Sequence, residues 1–429
     1  MSSVYKLGGT SQCKKGYDKL ITIIKNEIDT INPMYIVLSA VAGVTNNLVK
    51  FTETKDFELI SNAITLNKKI IDSLGIDSSF IDYISSYLIK LCKKYIHAEF
   101  FDIYIKYEII GYGEIMSTNI LHMYFKLNNI NNQLLNSYDY IYSKREIDQY
   151  NIKKNQTEFY CKENLYINTA NTSTCNVFIL QGFICSTPSR KTITLGRGGS
   201  DITGALVAKV SKSKVYEVWT DVDGIYNADP RIFNNSFQIK QIDYELCQEL
   251  SAMGAKVMHP LSIKPCIDVN IPIVVKNTFS DSNGTIICNE KTDETCYAVK
   301  DSQTVFKIKL LDIWNSYTFV SDIFARFNEN QIDIDIVSTS QFSMSGTTCT
   351  TNFYKLKEMK DKLSDKYKIE IINNCTIFSV VKRNIKDIIG RLNFDVINPE
   401  IINISDSGMT LNIVVKEFNL NKILQVINK

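Results

Sequence analysis

The chain has 429 residues, a formal net charge of +2, 45% apolar residues and 22% charged residues. The apolar fraction is sufficient for sizeable cores and excludes a largely disordered chain. The near-neutral balance excludes a global basic field, so we expect neither nucleic acid nor a membrane surface as a partner. The length predicts two or three domains.

Cysteine and histidine usage bounds the chemistry further. Eleven cysteines are scattered without a CxxC pair, which predicts reduced thiols in a cytosolic compartment rather than a disulfide framework. The three histidines, His97, His122 and His259, are too few to favour a histidine-based metal site. No apolar run approaches the ~18 residues of a membrane span, and a motif begins almost at the N-terminus, which leaves no room for a signal peptide. We therefore expect a cytoplasmic protein.

The chain opens with a predicted strand over residues 4–7, a glycine turn over 8–11 and a helix over 13–28. Lys6 lies at the strand end, where its ammonium can meet a phosphate as a point charge. Because the lysine precedes the glycines, this turn is not a Walker A loop. An ordinary βα turn without a ligand is the alternative.

A second predicted strand, residues 34–40, leads into a run of small and hydroxyl residues that ends at residue 46. Such residues at the carboxyl end of a strand suit a ligand crevice, and they also suit a plain turn. Residues 51–129 have the apolar spacing of successive helices. The third helix carries Glu114 between apolar residues, so this glutamate is either a surface residue or a buried charge that awaits a partner.

The stretch TLGRGGSDITGALVAK, residues 194–209, predicts a strand end, a glycine loop and a helix. Its loop residues are Gly196, Arg197, Gly198, Gly199, Ser200 and Asp201. The glycines lack the Cβ atoms that keep a backbone away from a small ligand, and the serine and aspartate suit a helix N-cap. A helix N-terminus favours an anion, and the arginine adds a two-pronged donor. A glycine-rich surface loop without a ligand is the alternative.

Strands and helices alternate over residues 1–280, which predicts a mostly parallel sheet covered on both faces. The further predicted elements of this part are strands at 138–142, 176–182, 215–220 and 271–276, and a helix at 244–256. The loop 221–231 holds three aspartates but lacks the twelve-residue calcium pattern with its closing glutamate.

The composition changes after residue 288, where residues 289–303 are polar and predict a linker. A strand–helix–strand order follows at 305–310, 319–330 and 332–339. A similar order returns at 376–381, 384–392, 401–405 and 410–415. This weak repeat predicts two small α+β modules.

Six motifs occur in one order along the chain: KLGGTS (6–11), SAVAGVTN (39–46), GEIMS (113–117), GRGGSD (196–201), WTDVDGIYNADPR (219–231) and GAKVMHP (254–260). Each alone is weak, but together they resemble the aspartate kinases of the amino-acid kinase family. Leu7 stands where that family more often has phenylalanine. The resemblance implies an α/β fold, a three-layer αβα sandwich with a mostly parallel sheet over residues 1–288. Two ferredoxin-like α+β ACT modules would follow over residues 304–429.

The activity implied by the resemblance is phosphoryl transfer from ATP to the side-chain carboxylate of L-aspartate. The product, 4-phospho-L-aspartate, begins the biosynthesis of lysine, threonine and methionine. The acceptor carboxylate is ionised at neutral pH, so no general base is required, and positioning and positive charge dominate. By resemblance, Lys6 would stabilise the transferring phosphate and Asp201 would orient Lys6. Arg197 would bind the α-carboxylate of the substrate, and Glu114 would bind its ammonium.

The remaining site residues also follow from the resemblance. Further substrate-binding candidates are Ser39, Thr45, Gly198, Gly199 and Ser200. The ATP-binding candidates are Lys6, Gly8, Gly9, Thr220, Asp221, Tyr226, Arg231, Lys256 and Val257. Mg²⁺ is expected on the ATP phosphates, without a dedicated protein ligand.

The ACT-like tail implies feedback inhibition by an amino acid, lysine in preference to threonine, and a homodimer or dimer of dimers joined through the tails. The effector-site candidates are Thr318, Phe319, Val320, Asp335 and Ser340. Thr318 stands where the family commonly has glycine, and Gln341 stands where lysine-sensitive members often have glutamate. The alternative is that Asp333 and Asp335 simply face solvent on an alternating strand.

Two other functions stay open at this point. One is another amino-acid kinase, acting on glutamate, N-acetylglutamate or a nucleotide. The pairing of Arg197 with Glu114 favours a free α-amino acid instead. The other is a catalytically dead ACT-type amino-acid sensor. Four intact residues argue against it: Lys6, Arg197, Asp201 and Lys256.

Overall fold

The computed structural model describes residues 2–27, 32–98, 102–144, 146, 159–162, 176–255, 258–312, 317–405 and 407–427. The chain divides into two compact units. The first unit comprises Met1–Ile225, Gln238–Tyr244 and Val257–Lys291. The second unit comprises Tyr226–Phe237, Glu245–Lys256 and Thr292–Lys429.

Strands of the first unit form two sheets. In chain order they are β1 (Ser3–Leu7), β2 (Met34–Leu38), β3 (Gln133–Leu135), β4 (Ile141–Ser143), β5 (Phe159–Cys161), β6 (Val177–Gln181), β7 (Ile184–Ser186), β8 (Thr192–Thr194), β9 (Val215–Thr220), β10 (Gln241–Asp243), β11 (Ile273–Asn277) and β12 (Thr285–Cys288). Among the described residues, eight strands form a sheet of order β10-β12-β11-β9-β1-β2-β6-β3. Its pairs are parallel except β11 with β12. The smaller sheet has the order β5-β4-β7-β8.

The central strands of the eight-stranded sheet are buried on both faces. All five residues of β1, β2 and β6 are buried, although neighbouring side chains along a strand point to opposite faces. The sequences MYIVL and VFILQ are nearly continuous apolar runs, as expected for strands buried between two layers of helices. The predicted α/β fold with a mostly parallel sheet is confirmed.

Helices alternate with these strands along the chain. In chain order they are α1 (Lys14–Glu27), α2 (Val44–Thr54), α3 (Phe57–Leu74), α4 (Phe80–His97), α5 (Ile103–Leu127), α6 (Ser137–Tyr140), α7 (Gly199–Ser211), α8 (Tyr244–Ala252) and α9 (Pro260–Ile267). From Glu245 onward, α8 belongs to the second unit. The longest, α5, begins where the Asp102 carboxylate accepts hydrogen bonds from the Tyr104 and Ile105 amides. Such a cap satisfies amides that the first helical turn leaves unpaired.

The second unit contains one antiparallel sheet of six described strands, in the order β14-β15-β13-β16-β18-β17. The strands are β13 (Cys296–Leu310), β14 (Ile336–Thr339), β15 (Ser343–Cys349), β16 (Tyr367–Val381), β17 (Ile401–Ile404) and β18 (Thr410–Val415). The helices are α10 (Phe319–Glu329), α11 (Phe353–Leu363), α12 (Lys386–Ile389), α13 (Phe394–Ile397) and α14 (Leu420–Ile427). The two predicted α+β modules are therefore present, and they share a single sheet.

The shared sheet arises because β13 and β16 are each 15 residues long and pair along almost their whole length. One end of this pair continues through β15 to β14, and the other continues through β18 to β17. Separate apolar clusters cover the two ends, one around Phe306 and Phe319 and one around Phe378 and Leu411. Each module thus keeps its own core.

Two local predictions were wrong. Residues 289–303 were predicted as a linker, but β13 begins at Cys296, where Cys296 and Ala298 alternate with less buried residues. The many polar residues between Asn289 and Gln303 made this alternation hard to recognise from the sequence. Residues 138–142 were predicted as a strand, but the short helix α6 precedes β4, which begins at Ile141. Within the described ranges, no helix has both the length and the apolar character to cross a membrane.

Candidate active site

An ion pair between Lys6 and Asp201 lies at the carboxyl end of the central strand β1. Lys6 is the fourth residue of that strand, and Asp201 lies in the first turn of α7. The Lys6 Nζ atom lies 2.6 Å from Asp201 Oδ1, and the two side chains are 11% and 15% exposed. The lysine is therefore held in one direction while a small part of its surface stays open. This arrangement suits a cation that meets a substrate phosphate.

The glycine turn after β1 packs closely against the carboxyl ends of β2 and β9, the two strands beside β1 in the sheet. The Gly8 amide donates a hydrogen bond to the Trp219 carbonyl of β9 at 2.9 Å. A Cβ atom on Gly9 would lie 2.8 Å from the Ala40 carbonyl oxygen, so no other residue fits there without a backbone shift. The Ser39 amide donates to the Leu7 carbonyl at 3.1 Å. The ends of β1, β2 and β9 thus meet at one edge of the sheet, where α/β proteins bind ligands.

The loop before α7 reaches the same edge. Gly198 is the N-cap of α7 with φ of +70°, and a Cβ atom there would overlap the Cβ of His259. Gly196 also has positive φ, whereas Arg197 between them is exposed. The glycines therefore let the loop turn tightly against α9 while the guanidinium stays free to meet an anion.

Ser200 and Gly199 bring the start of α7 against the end of β6. A Cβ atom on Gly182, which follows β6, would lie 2.5 Å from the Ser200 Oγ. A Cβ atom on Gly199 would lie 2.6 Å from the Phe183 ring. The first turn of α7 therefore has amides and a hydroxyl directly beside the strand end, as an anion site requires.

Glu114 lies inside α5 and is 3% exposed, so the alternative of a surface glutamate is wrong. Burial raises the pKa of its carboxyl to about 8, although a hydrogen bond with the Ala40 backbone opposes this. Its Oε2 atom has no hydrogen-bond partner among the described residues. The glycine before it, Gly113, lets the helix approach, since a Cβ atom there would lie 2.7 Å from the Ala40 Cβ. A buried carboxylate with one oxygen unpaired is favoured in its ionised form by a nearby cation.

Thr45 lies in the first turn of α2, on the loop that also carries Ser39 and Ala40. Thr45 is half-buried, and the N-cap of α2 is Gly43, which has φ of +84°. The Ser39 carbonyl accepts a hydrogen bond from the Ser117 hydroxyl of α5 at 2.7 Å. This bond ties the loop to the helix that holds Glu114.

Besides Lys6, Gly8 and Gly9, described above, the predicted ATP-binding residues fall into three groups. Thr220 and Asp221 lie at the end of β9, and the Thr220 hydroxyl donates to the Asp221 carboxylate at 3.2 Å. Tyr226 and Arg231 belong to the second compact unit. Lys256 and Val257 lie outside the described residues.

His259 is a site neighbour that the sequence reasoning missed. Burial and the Arg197 charge lower its pKa, while the Asp201 carboxylate opposes them. Its Nδ1 accepts a hydrogen bond from the Leu261 amide at 3.3 Å, which caps α9. The signal was the last motif, GAKVMHP, in which this histidine precedes the helix-starting proline.

The effector candidates lie in the first module of the second unit. Thr318 is the N-cap of α10, the Phe319 side chain is fully buried, and Val320 is exposed. Asp335 precedes β14, and its Oδ1 lies 2.5 Å from Lys300 Nζ. The Ser340 hydroxyl lies 2.7 Å from that of Ser343. These residues flank the ends of α10 and β14, and Asp335 already has a cationic partner.

Comparisons with known proteins identify the family of the chain. The model of the amino acid kinase family matches residues 1–277, more than half of the chain. The chain is 29% identical to the bifunctional aspartokinase/homoserine dehydrogenase of Buchnera aphidicola subsp. Acyrthosiphon pisum (strain APS), over 98% of this chain and 55% of that protein. It is 25% identical to the lysine-sensitive aspartokinase 3 of Escherichia coli (strain K12), over 92% and 91%.

Among solved structures, E. coli aspartokinase III in complex with aspartate and ADP (R-state) aligns over 100% of both chains, with a TM-score of 0.80 and 23% identity. This likeness concerns the fold and covers both compact units. The chain spans just over half the length of the bifunctional Buchnera relative and most of the length of the E. coli one. The match over residues 1–277 shows that the chain belongs to the amino acid kinase family.

Proposed function

We propose that this protein is an aspartate kinase, which transfers the γ-phosphoryl group of ATP to the side-chain carboxylate of L-aspartate. The observation that carries this proposal is the Lys6–Asp201 pair at the carboxyl edge of the parallel sheet. The curated relatives named as aspartokinases align over nearly the whole chain, which supports the same activity. We propose residues 1–288 as the catalytic region.

The chemistry needs positioning and positive charge rather than a base. An aspartate side chain has a reference pKa of about 3.9, so it is ionised at neutral pH. Its oxygen forms the new bond to the γ-phosphorus while the bond from that phosphorus to the bridging oxygen of ADP breaks. Both reactants are anions, so catalysis depends on cations and amides that face the transferring group. Lys6 supplies such a cation, and Asp201 fixes its direction.

The two charged groups of the amino acid backbone explain Arg197 and Glu114. The exposed Arg197 guanidinium binds the α-carboxylate in a two-pronged contact, helped by Ser39, Thr45, Ser200 and the amides of Gly198 and Gly199. Glu114 receives the α-ammonium, which supplies the cation that its buried carboxylate lacks. N-acetylglutamate has no free α-ammonium, so it could not pair with Glu114 in this way.

For the nucleotide, we propose the predicted set: Lys6, Gly8, Gly9, Thr220, Asp221, Tyr226, Arg231, Lys256 and Val257. The turn at Gly8 and Gly9 brings backbone close to the phosphate path. Magnesium is part of this substrate, as MgATP, and is carried on the phosphates. ADP in the E. coli structure supports a nucleotide substrate.

We propose residues 304–429 as a regulatory region that binds an inhibitory amino acid, lysine in preference to threonine. The name of the lysine-sensitive E. coli relative supports this choice. We also propose a homodimer or dimer of dimers joined through this region, because exposed sheet edges favour side-by-side pairing. The cysteines are scattered along the sequence without a CxxC pair, which supports reduced thiols and a cytoplasmic location.

The test is a coupled assay of ADP release by purified protein with MgATP and free amino acids. Aspartate should be turned over, with hydroxamate formation as proof of the acyl phosphate. Turnover of glutamate but not of aspartate would contradict the proposal. ADP release that is independent of any acceptor would also contradict it.

A further inference from the structure

The segment Tyr226–Phe237 follows β9 along the chain, yet it is part of the second unit. Ala228 and Phe233 are 3% and 7% exposed. They lie in one apolar cluster with residues of β16 and β18, among them Phe378 and Leu411. The segment is therefore built into the core of the second regulatory module, rather than lying on its surface.

Three aromatic rings form the contact. The Phe233 ring stacks on Tyr297 at 5.7 Å between centroids, with an interplanar angle of 18°. Tyr297 in turn lies 5.9 Å from Phe378, and Phe378 lies 6.5 Å from Phe233. Tyr297 belongs to β13 and Phe378 to β16, the two long strands of the shared sheet. Stacked aromatic rings add specific geometry to simple apolar burial.

Asn227 anchors the other side of the segment. Its carbonyl accepts a hydrogen bond from the Tyr297 amide at 2.6 Å. Its side-chain Oδ1 accepts from the Phe237 amide at 2.9 Å, and its own amide donates to the Phe237 carbonyl at 3.1 Å. Asn227 is buried, so these bonds are protected from water. The two ends of the segment are thus fixed to each other and to β13.

The anchors lie directly beside two residues proposed to bind ATP. Tyr226 precedes Asn227, and Arg231 lies between Ala228 and Phe233. Asp229 holds the arginine, since its Oδ1 accepts from the Arg231 amide at 2.9 Å and from Nε at 3.0 Å. The Arg231 side chain is 75% exposed, so its direction is fixed while its surface stays open.

The helix that leads toward Lys256 is attached to the same module. In α8, Glu249 Oε2 accepts a hydrogen bond from the Thr410 hydroxyl of β18 at 2.7 Å. Its Oε1 accepts from the Ser407 hydroxyl at 2.9 Å. The segment Tyr226–Phe237 and α8 are therefore both attached to strands or loops of the second unit.

We infer that Asn227 and Phe233 are positioning residues for the nucleotide, and that the attachment of the segment Tyr226–Phe237 to β13 and β16 sets the affinity for ATP. The inference rests on the proposed nucleotide role of Tyr226 and Arg231. Loss of either anchor then raises the KM for MgATP and leaves the KM for aspartate, whose proposed binding residues belong to the first unit, nearly unchanged.

The test compares Phe233→Leu, which removes the ring, with Phe233→Tyr, which keeps it. Ile423→Val is the matched control, because Ile423 is buried in the same cluster but belongs to the terminal helix α14. For each variant, steady-state kinetics gives both KM values, calorimetry gives the Kd for MgADP, and a thermal melt gives stability.

We expect Phe233→Leu to raise the KM for MgATP and the Kd for MgADP by about fivefold or more, since small misplacements of binding groups are costly. The KM for aspartate in Phe233→Leu should stay within about twofold of the wild-type value. Phe233→Tyr, which keeps the ring, should keep the wild-type affinity for the nucleotide. Ile423→Val should shift the melting temperature alone. If Phe233→Leu does not fold, Asn227→Ala removes one anchoring hydrogen bond and should give the same loss.

Unchanged affinity for MgADP in folded Phe233→Leu or Asn227→Ala would overturn the inference. An equal rise in both KM values would overturn it as well. Because calorimetry needs no acceptor, it decides this inference even if the wild type fails to phosphorylate aspartate. That failure would refute the proposed function alone.

Discussion

The Nζ atom of Lys6 lies 2.6 Å from Oδ1 of Asp201, and the two side chains come from elements almost 200 residues apart in the chain. One lies on the central strand and the other in the first turn of a helix, so the sheet and the helix must both be in place before the pair forms. The pair leaves part of the ammonium accessible. We interpret Asp201 as the group that keeps this ammonium directed at the phosphate path.

The first prediction concerns this pair. Lys6→Ala should lower kcat by about 10²–10³, the usual cost of losing one donor aimed at charge that develops in the transition state. Asp201→Ala should also lower kcat, because the lysine loses its direction. Steady-state kinetics on both variants checks this. Lys264→Ala is the control, since it breaks an exposed lysine–aspartate pair on α9. Near-wild-type kcat in Lys6→Ala would show that the phosphate role is wrong.

The second prediction separates binding from catalysis. Arg197 is exposed and is proposed to contact the α-carboxylate, which is the same in the ground state and the transition state. Its loss should therefore raise the KM for aspartate more than it lowers kcat. Arg190→Ala is a matched control, because that guanidinium pairs with Asp139 at the surface. A fall in kcat with an unchanged KM would place Arg197 on the phosphate instead.

The third prediction follows from the buried carboxyl of Glu114. Its pKa is raised from 4.5 to about 8, so the folded protein favours the protonated form. The free energy of unfolding that depends on this group is therefore highest below pH 4.5. It falls as the pH rises to about 8, by up to about 1.4 kcal/mol per pH unit. Glu114→Gln should remove this slope. Chemical denaturation of the aspartate-free protein at pH 6, 7 and 8 measures it.

The same carboxyl predicts how aspartate binding depends on pH. Binding of the ammonium needs the ionised form, so the KM for aspartate should fall as the pH rises from 6 to 8. Glu114→Gln should show a higher KM that no longer falls over this range. Parallel pH profiles in wild type and variant would contradict the ammonium role.

Much of the first unit could be predicted from the sequence. Strands such as β2 and β6 are apolar runs between turn residues, and their burial on both faces follows from that pattern. The shared sheet of the second unit could not be predicted in the same way. The pairing of β13 with β16 joins residues about 60 to 85 positions apart, and no local pattern specifies such a pairing.

The ion pair of Lys6 with Asp201 was predictable, because two motifs gave both the residue types and their positions. Glu114 was only half predictable, since the apolar helix α5 was compatible with either a surface or a buried glutamate. His259 was missed because its place beside Gly198 depends on the tertiary contact between α7 and α9. The anchoring of Phe233 in the second unit is a tertiary contact of the same kind.

The last prediction concerns inhibition by lysine and begins from the contact between Asp335 and Lys300. Asp335 Oδ1 lies 2.5 Å from Lys300 Nζ, and both side chains are partly exposed. An ion pair of this kind contributes about 0–1 kcal/mol to stability. An effector ammonium that binds Asp335 must displace Lys300, at a cost of up to about fivefold in affinity. Lys300→Ala should therefore lower the lysine concentration for half-inhibition by up to about fivefold, whereas Asp335→Ala should abolish inhibition. Lys309→Ala is the control, as an exposed lysine on the same strand. The measurement is a set of inhibition curves with lysine up to ~10 mM, alone and with threonine, for the wild type and each variant. Undiminished inhibition in Asp335→Ala would place the effector site elsewhere.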